Sequence, residues 1–78
     1  MAVKAYVFVE TAPGKAGEVA AALQNVQGVE AADPVTGPYD VIVVASAASL
    51  NALGQRVVNK IQTIEGVVRT VTNVVVSL

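Results

Sequence analysis

The chain has 78 residues, 54% of them hydrophobic and 14% charged, with five basic and six acidic side chains and a formal net charge of −1. That length holds one small domain, the scattered basic residues leave no nucleic-acid footprint, and no apolar run approaches the ~18 residues of a membrane span. Cys and His are both absent, which rules out a disulfide, nearly rules out a structural zinc site, and leaves association with further copies as the remaining way to stabilise so short a chain.

Valine supplies 18 of the residues, a bias toward strands. Val3 to Glu10 predicts the first strand, with Val3, Ala5, Val7 and Val9 on one face and Lys4, Tyr6, Phe8 and Glu10 on the other. The second face is half aromatic. Pro13-Gly14 ends this strand as turn punctuation. A helix is predicted over roughly Lys15 to Val26, with Ala16, Val19, Ala20, Leu23 and Val26 on one stripe. Gly28 is placed to cap it in a left-handed conformation.

Val29 to Thr36 reads as a weaker strand. Pro34 cannot donate to a ladder, so this strand belongs at a sheet edge. Gly37-Pro38 predicts a hairpin into the third strand, Asp40 to Ser46, whose Val41 to Ala45 run is apolar throughout and predicts burial on both faces. Ser46 to Ser49 offers N-caps for a second helix, Ala48 to Ile64, with Leu50, Leu53, Val57, Ile61 and Ile64 as its apolar stripe. Glu65-Gly66 ends it, and Val67 to Leu78 reads as a long last strand.

Val26-Gln27-Gly28-Val29 and Ile64-Glu65-Gly66-Val67 repeat one pattern 38 residues apart. Each closes a strand–helix–strand half. Two such halves joined by a hairpin predict a ferredoxin-like β-α-β-β-α-β sandwich, an α+β fold with four antiparallel strands and two helices on one face. The first and third strands are central, the second and fourth are edges. The open sheet face then carries Tyr6, Phe8 and the apolar third strand. Such a face predicts a two-fold dimer packed sheet to sheet, an α/β dimeric barrel.

Few residues can carry chemistry. No His or Cys is present, the six acids form no pair at a spacing for shared acid–base work, and the glycines form no phosphate-cradling run. The expectation is no enzyme, no cofactor and no metal. The densest segment is Val35-Thr36-Gly37-Pro38-Tyr39-Asp40. Backbone amides beside Gly37 can take an anion and Asp40 an ammonium, a combination that suits a free amino acid. The same residues also serve as a plain turn with an acidic cap. Thr70 and Thr72 share one side of the last strand, where they line either a polar pocket or an ordinary edge. Arg56 and Lys60 stand one turn apart on the second helix, facing either a carboxylate or solvent.

Together, the Pro13-Gly14 turn, Val35-Thr36-Gly37-Pro38-Tyr39-Asp40, Ile64-Glu65-Gly66-Val67 and Arg69-Thr70-Val71-Thr72 resemble the effector-binding (RAM) domain of the Lrp/AsnC family of transcription regulators, over nearly the whole chain. The resemblance implies sheet-to-sheet homodimers, further assembly into an octamer of four dimers, and an amino-acid effector bound between dimers. It implies effector contacts from Gly37, Tyr39 and Asp40, and from Thr70 and Thr72. Regulators of this family carry an N-terminal helix-turn-helix domain. Here the first strand follows Met1 at once, so a stand-alone effector module is expected, with no direct nucleic-acid binding and with full-length family regulators as possible assembly partners. No signal peptide is visible, and the expected compartment is the cytoplasm.

Three other readings stay open at this level. An ACT-like regulatory domain would place its amino acid near Pro13-Gly14. A small dimeric enzyme of the antibiotic-biosynthesis monooxygenase or muconolactone isomerase kind would use a pocket between sheet and helices, against which the absence of His argues. A ligand-free structural assembly would use the hairpin only as a turn.

Overall fold

The computed structural model describes residues 2–78. Four strands form one antiparallel sheet: β1 (Val3–Thr11), β2 (Val29–Pro34), β3 (Val41–Ala47) and β4 (Val67–Val74), in the order β2-β3-β1-β4. This is the predicted ferredoxin-like arrangement, with the Pro-bearing strand at one edge. A first helix, Ala16–Leu23, and a second helix over 50–63 cover the same sheet face.

The core follows from the alternation in β1. Ala5, Val7 and Val9 are fully buried, and so are Val41, Val43 and Ala45 opposite them in β3. Val19, Leu23, Leu53 and Ile61 close the layer from the helices. No charged side chain lies in this cluster, so hydrophobic burial stabilises it.

The other sheet face is left open. Lys4, Tyr6, Phe8 and Glu10 pair across to Ser46, Val44, Ile42 and Arg69 or its neighbours, and directly paired residues share a face. Tyr6 is exposed, while Phe8, Ile42, Val44 and Val71 are half-buried. The third strand is therefore buried on its helix side and only half-covered on the other.

Several boundaries differ from the sequence expectation. The first helix stops at Leu23, three residues early, because the chain tightens into three-residue turns: Asn25 donates to Ala22, Val26 to Leu23, and Val29 to Val26. Val26 is still buried. β4 ends at Val74 rather than Leu78: its ladder with β1 reaches Ala5, and the Val75 amide donating to the Lys4 carbonyl is its last bond to that strand. The second helix is not uniform. An α-helical turn, Leu50–Ala52, leads into a π-helical stretch, Leu53–Val58, and then an α-helical segment, Asn59–Thr63. Its buried residues Leu53, Val57 and Ile61 are spaced by four. That spacing drifts around a 3.6-residue helix, and the wider π turn corrects the drift. Leu50, placed in the apolar stripe by sequence, lies on the near side of this correction and is 61% exposed.

The repeated Gly positions are structural joints. Gly28 and Gly66 have φ of 95° and 99°. The Gly28 carbonyl accepts from the Ser46 amide at 2.8 Å, and the Gly66 carbonyl accepts from the Ala12 amide at 2.8 Å. Each glycine thus ties the end of one half to a strand end of the other.

Candidate functional site

The loop 35–40 joins β2 to β3 and is closed by the Val35 amide donating to the Asp40 carbonyl at 2.9 Å. Gly37 takes φ 141°, and nothing stands within 4 Å of where its side chain would be. Its backbone is therefore approachable from outside. Tyr39 packs on Phe8, with ring centroids 5.3 Å apart and tilted by 41°. Phe8 belongs to the open sheet face, so Tyr39 lies over that face. Sequence reading did not pair Tyr39 with Phe8; the aromatic half of β1 is the signal that could have found this contact.

Asp40 is held from two sides. Its amide donates to the Val9 carbonyl at 2.9 Å, and its Oδ2 accepts the Thr11 amide at 2.8 Å. Thr11 lies at the register shift where β1 leaves its β4 partner. Its amide lies past Val9, the last β1 residue paired with β3, so it has no ladder partner on that side, and Asp40 satisfies it. Sequence could not name Thr11 as a partner, because the point where β1 outruns β3 is visible only in the pairing. Among the described residues Asp40 makes no ion pair, so its second oxygen is open to a cation.

Thr70 and Thr72 do share one side of β4, but not the side Tyr39 occupies. Thr70 pairs with Val9 and Thr72 with Val7, both buried residues of the helix-facing layer. Gln62 of the second helix donates to the Thr70 hydroxyl at 3.1 Å. Within one chain, then, the two threonines and Tyr39 lie on opposite faces of the sheet. Pro13-Gly14 forms a tight turn closed by the Lys15 amide donating to the Ala12 carbonyl at 3.1 Å. Among the described residues, no group of three or more His, Cys, Asp or Glu side chains is placed to hold a metal ion. No helix among them is long and apolar enough to cross a membrane.

The model of the Lrp/AsnC ligand binding domain matches residues 4–78. The chain belongs to the Lrp/AsnC family. Hypothetical protein PHS023 from Pyrococcus horikoshii is similar at 32% identity and a TM-score of 0.86, over 97% of this chain and 92% of that one. E. coli AsnC matches at 26% identity and a TM-score of 0.86, over 97% of this chain but 52% of its own. The transcriptional regulator NMB0573 from Neisseria meningitidis, solved in complex with L-Met, shares the fold at 22% identity and a TM-score of 0.81, over 96% of this chain and 50% of that one. No curated protein matches. As an Lrp/AsnC ligand-binding domain the chain is a regulatory binding module rather than an enzyme, and the ACT-like reading gives way to this family.

Proposed function

We propose that this Lrp/AsnC domain senses a free amino acid at the loop 35–40 and reports it through assembly with other copies. The observation that carries the reading is the geometry of Asp40 in a chain of a ligand-binding family. One carboxylate oxygen is anchored on the Thr11 amide while the other is free, and a fixed carboxylate of this kind suits an ammonium group. Tyr39 beside it offers an apolar wall, and the open backbone at Gly37 offers amides to a carboxylate. That the L-Met complex was solved for a regulator of the same fold supports an amino acid as ligand.

Thr70 and Thr72 join such a site only from another copy, because they lie across the sheet from Tyr39 within one chain. The reading therefore places the effector at a boundary between copies. The open face with Tyr6, Phe8, Ile42, Val44 and Val71 supplies a sheet-to-sheet contact for a homodimer, and dimers in turn assemble, with an octamer of four dimers as the proposed limit. Longer family members with the same face are proposed partners in mixed assemblies, in the cytoplasm. Co-purification with a full-length relative tests that arm.

The central test is light scattering and thermal unfolding across a panel of amino acids. Ligand at about 100 times its Kd should add about 2.7 kcal/mol of stability. One amino acid should raise the melting temperature or shift the mass, and Asp40→Asn with Tyr39→Ala should abolish the response. A monomer, or an assembly indifferent to every amino acid, sinks the proposal.

A further inference from the structure

A cavity of about 440 Å³ lies at the other end of the sheet, between the second helix, the Gly28 turn and the end of β3. It is separated from Asp40 by the length of β3, about 20 Å at ~3.3 Å per residue. Arg56 and Lys60 line it together with Gln27, Ser46, Ala52 and Val57. Its lining includes no Asp or Glu. Among the described residues neither Arg56 nor Lys60 makes an ion pair. The size falls in the range of small-molecule sites, roughly 300–1,000 Å³.

The internal repeat supplies a comparison. Shifted by 38 residues, this cavity has a counterpart of about 340 Å³ against the first helix, lined by Lys15, Glu18, Ala22, Ile64, Glu65 and Gly66. Gly28 corresponds to Gly66, and Val57 to Val19. The backbone joint is the same, but the charges are not. Arg56 stands where the first half has Glu18, Lys60 where it has Ala22, and Gln27 where it has Glu65. In the counterpart, Lys15 and Glu18 neutralise one another at 3.4 Å, and Glu65 adds a negative charge. The cavity beside the second helix instead holds two cations and no anion. The π-helical stretch Leu53–Val58 carries Arg56 and Val57; π turns within helices are frequent at functional sites.

We infer that this cavity binds a small organic carboxylate that lacks an ammonium group, such as a 2-oxo acid. The Arg56 guanidinium matches a carboxylate in planar, two-point fashion, and Lys60 adds a second positive charge. Ala52 and Val57 provide an apolar wall for a short side chain. An amino acid fits poorly, because its ammonium would face Arg56 and Lys60 with no acid in the lining. The inference stands on different residues from the Asp40 site and does not depend on it.

The test is calorimetric titration of the intact protein with 4-methyl-2-oxopentanoate, with leucine and inorganic phosphate as comparison probes. The oxo acid should bind saturably and more weakly as salt rises. Arg56→Gln and Lys60→Gln, both at exposed positions, should each weaken it about tenfold or more, while Glu18→Gln in the counterpart cavity should leave it unchanged. Circular dichroism of both variants checks that they fold. The assignment is overturned by an absence of saturable binding, by binding that survives both substitutions, or by leucine competing at equal concentration. Displacement by inorganic phosphate at equal concentration would make this a general anion site and overturn the carboxylate assignment.

Discussion

Replacing Gly28 with alanine should be among the most damaging small changes in this chain. At φ 95° an L-residue is strained, which costs about 1–2 kcal/mol. The new Cβ would also stand 2.6 Å from Val57 Cγ2 and 3.0 Å from the Ser46 carbonyl oxygen. Val57 is buried, and its β-branched side chain has few rotamers through which to yield. The turn cannot retreat either, because the Gly28 carbonyl holds the Ser46 amide at 2.8 Å. Overpacking of this kind costs about 1–3 kcal/mol. The stiffer unfolded chain returns about 0.4–1 kcal/mol, leaving a net loss of about 1–5 kcal/mol. A chain of this length is worth about 4–12 kcal/mol in all, so the loss is a large share. Urea unfolding at fixed protein concentration reads it directly, as a midpoint lowered by about 1–5 M if the slope is about 1 kcal/mol/M. Gly14→Ala is the control: its φ is 76° but nothing lies within 4 Å, so only the backbone strain applies. Adding Val57→Ala to Gly28→Ala should relieve the clash, so that the double variant is less damaged than the two single losses predict. A midpoint for Gly28→Ala equal to that of Gly14→Ala, or strict additivity in the double variant, would refute the packing argument.

Other substitutions separate roles in the same way. Asp40→Ala leaves the Thr11 amide without its acceptor and should cost about 1–3 kcal/mol in denaturant unfolding, whereas Asp40→Asn keeps an oxygen there and should cost clearly less. Ser49→Ala removes the hydroxyl that accepts the Ala52 amide at 3.1 Å at the start of the second helix, a cap worth about 1 kcal/mol in thermal melts. Leu50→Gln should shift stability by no more than about 0.5 kcal/mol, since Leu50 is 61% exposed; a large loss would put Leu50 in a contact that one chain does not make.

The parts of the fold that were legible are those where local pattern and burial agree. Strict alternation in Val3, Ala5, Val7 and Val9 named the buried face of β1, and all but Val3 are fully buried. Pro34 placed β2 at an edge, and Gly28 and Gly66 take the left-handed backbone, but Gly28 does not cap the first helix, whose C-cap is Gln24, four residues earlier. The second helix was less legible. Leu50, Leu53, Val57 and Ile61 fit one α-helical stripe on paper, but the π turn rotates the later residues relative to Leu50, and an i to i−5 hydrogen bond such as Asn59 to Gly54 has no sequence signature. The candidate site was half legible. Gly37, Tyr39 and Asp40 are local in sequence and stayed together. Thr70 and Thr72 were correctly placed on one side of their strand, but which side depends on register against β1. Val9 opposite Thr70, with a bulge at Glu10 and Thr11, sends both threonines to the helix layer. Pairing register is a long-range property, and a shift of one residue would have reversed the answer.

The two halves of the chain separate what the fold requires from what is free to differ. Gly28 and Gly66 share a left-handed backbone, and each packs beneath a valine of the opposite helix, Val57 and Val19. The turns before them match as well: Val26 donates to Leu23 as Ile64 does to Ile61, and Val29 to Val26 as Val67 does to Ile64. These positions are set by chain geometry, and the fold uses the same solution twice. Charge is not set in this way. Glu18, Ala22 and Glu65 of one cavity correspond to Arg56, Lys60 and Gln27 of the other. Neither set enters the buried core, so packing does not explain the reversal. An isolated pair of unneutralised cations beside a cavity repels itself weakly and contributes nothing to folding. A bound anion offsets that repulsion, and the pseudo-symmetric partner, with its own Lys15–Glu18 pair, has no such demand. Two ends of one sheet thereby present opposite chemistry, a fixed carboxylate at Asp40 and a pair of cations at Arg56 and Lys60. An amino acid and its deaminated counterpart differ in the one group that these two ends distinguish.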